Sequence, residues 1–483
     1  MPKLTIYQGP QATELQVDCG TLLSDALKAA NASLALPCGG RGVCGKCAVQ
    51  VAGDVSAPNA AEQKLGVRLA CQARVEGDMQ VILPLPRDME IEGGKAVSHA
   101  ATAPMGEGYG AAIDIGTTTL ALQLYDLSTG MCLSAYSMLN PQTAVAADVI
   151  GRIDASLKGE GELLRRTITD ALRTMLACAA AEAGIPQEKV STLVITGNTT
   201  MLYLLTGRSP EPLSHSPFEA DCLFGHTEEL LGKQAYLPPC LHAFVGTDIA
   251  TAILASGMCE KAETALLCDI GTNGELALWK DGQLYVTSTA AGPAFEGAGI
   301  RCGCSSVIGA IDKVDIDGDE TVIHTIGEKE AVGLCGSGLI DAIAALLELE
   351  IIDETGAMDE EYAFTDKVCL APADVRAVQL SKSAIYAGIQ CLLDAAGCTE
   401  KDLAAVYLAG GFGSHMNLYS AARIGLLPES FIPRVRIIGN AALDGAAELL
   451  LNRNAALPVN AQHVSLGGNP KFNNLYMESM LFE

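Results

Sequence analysis

The sequence predicts an α/β protein that carries a small α+β domain at its N-terminus. Residues 1–83 contain alternating apolar segments around one helical segment. From Tyr109 onward, short apolar strands run into glycine-rich turns and alternate with helical segments. The second pattern is typical of sheets with helices on their faces.

Length, composition and charge narrow the class of protein. The chain has 483 residues, of which 49% are hydrophobic and 18% charged, so it can bury the cores of two to four domains. Its net charge of −26 repels phosphate backbones, and we expect no nucleic-acid partner. No segment approaches the roughly 18 apolar residues of a membrane span. We therefore expect a cytoplasmic protein with reduced thiols and no membrane partner.

The N-terminal domain is predicted from three patterns within residues 1–83. The segments KLTIYQG and TELQVDCG alternate as strands do, and a helix is expected to start near Thr21. CAVQVAG and DMQVILPLP are interpreted as further strands. Residues 84–108 are rich in Pro, Gly, Ala and Ser and are expected to be a linker, although a structured surface loop would have a similar composition.

An internal repeat divides the rest of the chain. The segment DIGTT at 114–118 recurs 155 residues later in DIGTNGE at 269–275. Each copy ends an apolar strand and is followed by a second strand-like segment. We therefore expect two related lobes, 109–260 and 261–483, each with a β-hairpin and a Gly-Thr turn.

Four cysteines indicate a metal centre in the N-terminal domain. Cys38, Cys44 and Cys47 have the spacing C-x5-C-x2-C, and Cys71 follows 23 residues later. Four thiolates can hold an iron–sulfur cluster, and the glycines between them allow the unusual φ values that a cluster loop needs. Structural zinc is the alternative, but its cysteines usually form two short pairs.

The repeated turns are candidates for phosphate binding, because a tight turn containing Gly presents successive N–H groups to phosphate oxygens. A structural hairpin would explain one copy, but two copies at domain spacing favour function. Asp114 and Asp269 can hold Mg²⁺, through water. Asp248 is a third candidate carboxylate, and a helix cap explains it equally well. The candidate nucleotide contacts in the turns are Gly116, Thr117, Thr118, Gly271, Thr272, Asn273, Gly274 and Glu275.

Further glycine-rich turns follow strands later in the chain. Gly410, Gly411, Phe412 and Gly413 would let the backbone approach a base or ribose closely. Another turn contains Gly336 and Ser337 and opens a helix whose N-terminus is suited to an anion. Each turn taken alone is explained equally well as a helix cap.

These motifs resemble two known families. Residues 1–83 resemble a β-grasp [2Fe–2S] ferredoxin, with a cysteine spacing nearer the adrenodoxin pattern than the plant type. Residues 109–483 resemble the actin/hexokinase/chaperone (ASKHA) ATPase superfamily, which implies a two-lobed fold that binds ATP and Mg²⁺. The motifs that carry this resemblance come in order: phosphate-1 at 114–119, connect-1 near 197–200, phosphate-2 at 269–275, adenosine at 410–413 and connect-2 at 439–445.

The combination resembles the ATP-dependent reductive activators of corrinoid proteins that have an N-terminal [2Fe–2S] domain. The segments that match are DIGTTT, NPQTAVAADVIGRI, VITGNTTM, CDIGTNGE, GLCGSGLID and LAGGFG. The resemblance implies one-electron reduction of a Co(II) corrinoid on a methyl-transfer protein to Co(I), with Asp114, Asp269 and Asp248 in the catalytic site. It also implies an external low-potential electron donor and allows a homodimer. Many such activators have an extra middle domain, which we expect to be missing here.

Three other functions remain open at this stage. A small-molecule kinase with a redox-sensing ferredoxin domain would use a carboxylate base such as Asp248. An activator of a radical dehydratase also couples ATP to electron delivery, but such proteins usually hold a [4Fe–4S] cluster between subunits. A chaperone-like ATPase would use the cluster only structurally. No G-x-G-x-x-G turn of the sequence lies in a dinucleotide-binding unit with an acidic residue about 20 residues further on, so we expect no flavin or nicotinamide site.

The remaining cysteines are interpreted mainly as small apolar core residues. Cys178, Cys268, Cys391 and Cys398 lie in predicted helices or strands. The assignment is ambiguous for cysteines in glycine-rich segments, which are Cys302, Cys304 and Cys335.

Overall fold

The structure is a computed structural model. It describes residues 1–8, 11–30, 32, 40, 42, 47–65, 68–82, 106–411, 416–452, 454–458 and 460–482. Residues 84–105 of the predicted linker lie outside the described residues. So do four of the predicted site residues, which are Cys38, Cys44, Phe412 and Gly413.

The N-terminal domain is a five-stranded sheet in the order β2-β1-β5-β3-β4, covered by a helix. Strands β1 and β5 are parallel, with Leu4 opposite Met79, and the other pairs are antiparallel. Leu23 and Leu27 of α1 are buried in the same core as Leu4. The elements are β1 (Lys3–Gln8), β2 (Gln11–Gln16), α1 (Leu23–Ala29), β3 (Ala48–Val55), α2 (Ala60–Leu65), β4 (Arg68–Leu69) and β5 (Val75–Ile82).

Helix α2 and strand β4 were not expected from the sequence. The helix begins with a reciprocal capping box: Glu62 N–H donates to Asn59 Oδ1 at 3.0 Å, and Asn59 N–H donates to Glu62 Oε2 at 2.9 Å. The same carboxylate accepts from Leu69 N–H at 2.9 Å, which ties α2 to β4. The local signal for this helix, Asn followed three residues later by Glu, is present in the sequence.

The first lobe contains a six-stranded sheet in the order β10-β11-β9-β6-β7-β8. Strands β6, β7 and β8 form antiparallel pairs, and β9 runs parallel to β6. The long amphipathic helix α4 packs its buried face on this sheet. The elements are β6 (Tyr109–Ile115), β7 (Thr119–Asp126), β8 (Cys132–Leu139), α3 (Val149–Ala155), α4 (Gly161–Glu182), β9 (Val190–Gly197), α5 (Thr199–Thr206), β10 (Phe224–Leu230) and β11 (Lys233–Pro239).

The second lobe repeats this arrangement. Its main sheet has the order β21-β20-β12-β13-β14-β22, with β12, β13 and β14 antiparallel and β20 parallel to β12. The two-lobed fold expected from the repeat is confirmed. The elements are α6 (Thr247–Ser256), β12 (Ala265–Ile270), β13 (Gly274–Lys280), β14 (Gln283–Thr289), β15 (Ala310–Asp317), β16 (Glu320–Thr325), β17 (Gly333–Leu334), α7 (Gly336–Glu348), β18 (Tyr362–Ala363), β19 (Cys369–Leu370), α8 (Pro372–Ala395), β20 (Ala405–Ala409), α9 (Leu418–Arg423), β21 (Val435–Gly439), α10 (Ala441–Leu451), β22 (Ala461–His463) and α11 (Pro470–Glu478).

Two helices, α6 and α10, cross between the lobes. Helix α10 follows β21 of the second sheet, but its Leu443 and Leu450 pack in one core with Ala112 of the first sheet. Helix α6 precedes the second sheet and packs its Ile253 against Leu267 of that sheet. The lobes therefore do not correspond to two separate stretches of chain, since α10 comes late in the sequence but packs on the first sheet. The predicted division of the chain at 260/261 stays a prediction.

The crossing of α6 and α10 depends on a glycine. A Cβ atom added at Gly445 would lie 1.9 Å from the carbonyl oxygen of Thr251 on α6. The two backbones are therefore in direct contact at this point.

Among the helices of the described residues, none combines the length and the apolar character needed to cross a membrane.

Candidate cluster and nucleotide sites

Two of the four predicted cluster ligands are described, and they lie close together. The Sγ atoms of Cys47 and Cys71 are 3.3 Å apart, and the residues are only 2% and 5% exposed. A disulfide would need about 2.05 Å, so these two converging sulfurs are not bonded to each other. Such a pair provides the soft donors that an iron–sulfur cluster requires. Cys38 and Cys44 lie outside the described residues.

The loop that precedes Cys47 is held next to Cys71 by the side chain of Gln72. Its Nε2 donates to the carbonyl oxygen of Gly40 at 2.6 Å and lies 3.6 Å from the Cys71 sulfur. Gly42 has a φ of +73°, and a Cβ there would lie 2.9 Å from Gln72 Cδ. The described part of the loop therefore requires glycine, as expected for a loop that wraps a cluster.

The glycine of each repeated turn closes the hairpin with a backbone hydrogen bond, although the second turn is one residue shorter than the first. Gly116 N–H donates to Thr119 O at 2.9 Å, and Gly271 N–H donates to Asn273 O at 3.0 Å. We call residues 116–118 the phosphate-1 turn and residues 271–273 the phosphate-2 turn. At Gly116 a Cβ would lie 2.7 Å from the carbonyl oxygen of Thr119, so a larger residue would disturb the hairpin.

The carbonyl oxygens of the phosphate-1 turn are all held by the first lobe. Asn140 donates from Nδ2 to Gly116 O at 2.9 Å and from its backbone N–H to Thr118 O at 2.7 Å. The guanidinium of Arg152 donates to Thr117 O. Because these carbonyl oxygens and the Gly116 N–H already have partners, the N–H groups of Thr117 and Thr118 are the backbone donors of this turn that a ligand would engage.

Arg152 is a functional candidate that the sequence analysis did not single out. It is 0% exposed, and it also donates to Ala146 O at 3.1 Å and to Gln142 Oε1 at 3.1 Å. Burial lowers the pKa of Arg152 to about 10, so the guanidinium is still charged at neutral pH. The segment NPQTAVAADVIGRI contains both Arg152 and Asn140, but it was used only as part of a resemblance.

The structure brings the three predicted catalytic carboxylates into one electrostatic group. Burial raises the pKa of Asp114, Asp248 and Asp269 to about 7 each. Mutual repulsion adds to this effect: the charge of Asp269 raises the pKa of Asp114, and the charge of Asp114 raises that of Asp248. Glu275 lies in the same group, and burial and the charges of Asp248 and Asp269 raise its pKa well above the ordinary value.

A divalent cation would relieve this repulsion and return the carboxyl groups to their charged form. Among the described residues, however, no three His, Cys, Asp or Glu side chains are arranged to ligate one ion directly. The donor set therefore fits Mg²⁺ held largely through water, since Mg²⁺ retains several of its waters in proteins.

Glu296 connects the two turns and was also missed by the sequence analysis. Its Oε1 accepts from Thr272 N–H at 2.7 Å and from Thr272 Oγ1 at 3.0 Å, and its Oε2 accepts from Thr118 Oγ1. The carboxylate thus engages donors from both lobes that were predicted to bind phosphate. In each lobe the residue that contacts the turn follows the third strand of the repeat: Asn140 follows β8, and Glu296 follows β14. This shared position is the sequence signal that could have identified Glu296.

The predicted adenosine turn lies beside the phosphate-2 hairpin. Gly410 has a φ of +96°, and a Cβ there would lie 2.9 Å from Asp269 Oδ1. Gly411 is exposed and would meet nothing within 4 Å. The bare backbone of this turn can therefore approach a ligand, while Phe412 and Gly413 lie outside the described residues.

The predicted anion site at the start of α7 is packed in the core. Gly336 and Ser337 are buried, and Ser337 Oγ lies 3.3 Å from Cys335 Sγ. A Cβ at Gly338 would lie 2.0 Å from Ile311 O on β15. Close packing of α7 on β15 explains these small residues, and a nucleotide contact by Gly336 or Ser337 stays a prediction.

Comparison with known proteins assigns the family. A model of the C-terminal ASKHA domain of RACo matches residues 263–483, a model of the RACo middle region matches 109–261, and the 2Fe-2S iron-sulfur cluster binding domain matches 6–76. The corrinoid activation enzyme RamQ of Eubacterium limosum is 34% identical over 420 residues, which cover 77% of this chain and 70% of that protein. The chain belongs to the RACo family.

Two other proteins related to this RACo-family chain support the assignment. The [Co(II) methylated amine-specific corrinoid protein] reductase of Methanosarcina barkeri is 25% identical over 423 residues, with 76% of each chain covered. A solved structure described as a reductive activator for corrinoid, iron-sulfur protein superposes with a TM-score of 0.72 at 25% identity. That superposition covers 100% of this chain and 98% of the other.

The match also corrects one expectation. The middle region of the RACo family is present, because its model matches residues 109–261. The segment was expected to belong to the ATPase because it carries the first copy of the DIGTT repeat. In the structure the middle region forms the first sheet, and α10 from the C-terminal ASKHA segment packs on it. What had been expected as an additional domain is thus the first lobe itself.

Proposed function

We propose that this RACo-family chain is an ATP-dependent reductive activator of a corrinoid protein. It transfers one electron from a [2Fe–2S] cluster to the Co(II) corrinoid of a methyl-transfer protein and restores Co(I). Two relatives, from Eubacterium limosum and Methanosarcina barkeri, are named for corrinoid activation and for reduction of a Co(II) corrinoid protein. The proposed cluster ligands are Cys38, Cys44, Cys47 and Cys71.

The observation that carries the proposal is that one chain contains both a ferredoxin domain and a pair of lobes with repeated turns. The ferredoxin domain brings the thiols of Cys47 and Cys71 within 3.3 Å. The two lobes bring their repeated turns to a common carboxylate, Glu296. Electron transfer would explain the paired thiols, and a nucleotide bound between the lobes would explain why the repeated turns meet.

ATP has a thermodynamic role in this proposal. Each 59 mV of unfavourable potential costs about a factor of ten for one electron, so a gap of a few hundred millivolts demands several kcal/mol. Nucleotide binding supplies energy if it changes the affinity of the lobes for the partner protein. Helices α6 and α10 link the two sheets, so closure of the lobes can alter a partner surface on either of them.

The chain's own residues have distinct parts in nucleotide binding. Asn140 and Arg152 hold the carbonyl edge of the phosphate-1 turn, which orients the N–H edge toward phosphate oxygens. Asp114 and Asp269 would hold Mg²⁺ through water, and the cation would favour the charged form of these two buried carboxyl groups. Bound Mg²⁺ supplies charge neutralisation for the phosphates. An external low-potential donor reloads the cluster, and a homodimer remains an open prediction.

The proposal is tested by following Co(I) formation through visible absorbance, with ATP, a chemical reductant and a candidate corrinoid protein under anaerobic conditions. Cys47→Ser should abolish cobalt reduction while leaving ATP binding unchanged. Cys19→Ser is the matched control, because Cys19 is an exposed thiol of the same domain. Undiminished cobalt reduction by Cys47→Ser would exclude the electron-transfer role.

A second candidate function, a small-molecule kinase, is supported by Asp248. Burial and the charge of Asp114 raise the pKa of Asp248 to about 7, which is the range expected for a general base at neutral pH. A kinase would release a phosphorylated small molecule in step with ATP consumption. ATP turnover that depends on the corrinoid protein, without such a product, would decide against it.

A further inference from the structure

A pair of cysteines in the second lobe lies apart from the cluster ligands and from the repeated turns. Cys302 and Cys369 are 67 residues apart in the chain, and their Sγ atoms are 3.8 Å apart. Both residues are partly exposed. Cys302 lies in a glycine-rich segment that left its role ambiguous, and the proposed function does not use either thiol.

The surroundings make the two thiols unequal. The backbone N–H of Cys369 donates to Cys302 Sγ at 3.4 Å, and the Cys302 thiol donates to Lys367 O at 3.8 Å. Burial and the neighbouring Cys302 raise the pKa of Cys369 to about 11, although the Arg301 guanidinium opposes this rise. Because its raised pKa keeps Cys369 protonated at neutral pH, Cys302 is the thiol that reacts first, and Cys369 follows.

We propose that Cys302 and Cys369 are a redox modification site that forms an intramolecular disulfide with a low-molecular-weight disulfide as oxidant. The Cys302 thiolate attacks one sulfur of the oxidant, forming a mixed disulfide and releasing one thiolate. The Cys369 thiolate then attacks the Cys302 sulfur, and the second thiolate of the oxidant leaves. The two cysteines lose two protons and two electrons, which reduce the oxidant to two thiols.

The geometry requires only a local movement. A disulfide bond is about 2.05 Å long, so the two sulfurs must approach each other by about 1.8 Å, which side-chain rotation can provide. Both backbones are anchored: Leu334 N–H donates to Cys302 O at 2.8 Å, and Cys369 lies in β19, paired with β18. The bond would fasten the glycine-rich loop that follows Glu296 to the β18–β19 hairpin.

The test uses the full-length protein with its cluster, incubated anaerobically with oxidised glutathione and then mapped by mass spectrometry without reduction. We expect a cross-linked peptide pair containing Cys302 and Cys369, 2 Da lighter than the two free peptides. The thermal midpoint should rise on the order of 5 °C, because the bond closes a long loop, and added thiol should reverse the rise. Formation should be faster at pH 9 than at pH 7.

Two serine variants and a control make the test specific. Cys302→Ser and Cys369→Ser should each abolish the cross-link and the rise in midpoint, whereas Cys398→Ser, which removes another partly exposed thiol of this lobe, should retain both. If a variant fails to fold, differential alkylation of the natural protein before and after oxidation gives the same information. A stable glutathione adduct on Cys302 with Cys369 still open to alkylation would overturn the proposal. So would the absence of any change at both cysteines.

Discussion

Asn440 donates a hydrogen bond from Nδ2 to Oδ2 of Asp114 at 3.1 Å, although 326 residues separate them in the chain. Asn440 caps α10 by accepting from Leu443 N–H at 3.0 Å, and Asp114 lies at the end of β6 in the phosphate-1 hairpin. This bond favours the charged form of Asp114, against burial, which raises its pKa. The connect-2 segment therefore helps to position a candidate Mg²⁺ carboxylate and partly offsets the effect of burial on its pKa.

Replacing the amide of Asn440 by a carboxylate tests this relationship. Asn440→Asp keeps an oxygen that can cap α10 but removes the donor and places a negative charge beside Asp114. We expect Mg-ATP to bind about tenfold more weakly, as measured by calorimetry, because the site must then bring together one more like charge. Asn469→Asp, at the cap of α11, is the matched control and should bind as the natural protein does. Equal affinities of the two variants would argue against a role for the Asn440–Asp114 bond.

The raised carboxyl pKa values predict how stability depends on pH. Between about pH 4 and pH 7 the unfolded chain has lost protons that Asp114, Asp248 and Asp269 still hold in the fold. Protonation thus favours the folded state, and this contribution falls as pH rises through that range. We expect Mg²⁺ to raise the thermal midpoint more at pH 8 than at pH 5.5, because above pH 7 the cation relieves repulsion between charged groups. Scanning calorimetry with and without Mg²⁺ measures this, and a Mg²⁺ effect that is the same at both pH values would contradict it.

The buried guanidinium of Arg152 should be important for stability and for nucleotide binding. In Arg152→Lys, one ammonium group cannot reproduce the donors to Thr117 O, Ala146 O and Gln142 Oε1. We expect the free energy of unfolding to fall by about 2–4 kcal/mol in urea titrations, with weaker ATP binding as well. Arg166→Lys, on the exposed face of α4, is the control and should change stability by less than about 0.5 kcal/mol. A fully stable Arg152→Lys would show that the network is not needed to hold the phosphate-1 turn.

The contact between α6 and α10 predicts a large effect of one added methyl group. In Gly445→Ala the new Cβ would overlap the carbonyl oxygen of Thr251, so the helices must separate. We expect a loss of about 2–4 kcal/mol in the free energy of unfolding. Gly467→Ala, where a Cβ would meet nothing within 4 Å, should be nearly neutral. Thermal unfolding of the two variants makes the comparison, and similar midpoints would mean that the helices can separate at little cost.

Much of the local structure was predictable from the sequence. The repeat of DIGTT predicted the two hairpins, because a strand that ends in a Gly-Thr turn is specified by neighbouring residues. The spacing of Cys47 and Cys71 within a four-cysteine pattern predicted that their thiols would meet, and their sulfur atoms do lie close together. Helix α2 was missed even though its capping box is a local signal.

The sequence by itself determined the family, the two hairpins of the repeat and three of the candidate carboxylates, Asp114, Asp248 and Asp269. Only the tertiary structure decided that α10 packs on the first sheet, that Arg152 holds the phosphate-1 turn, and that Glu296 engages donors from both lobes. The physical reason is that short-range propensities and turns depend on adjacent residues. These three relationships depend instead on contacts between segments far apart in the chain, which exist only once both sheets have formed.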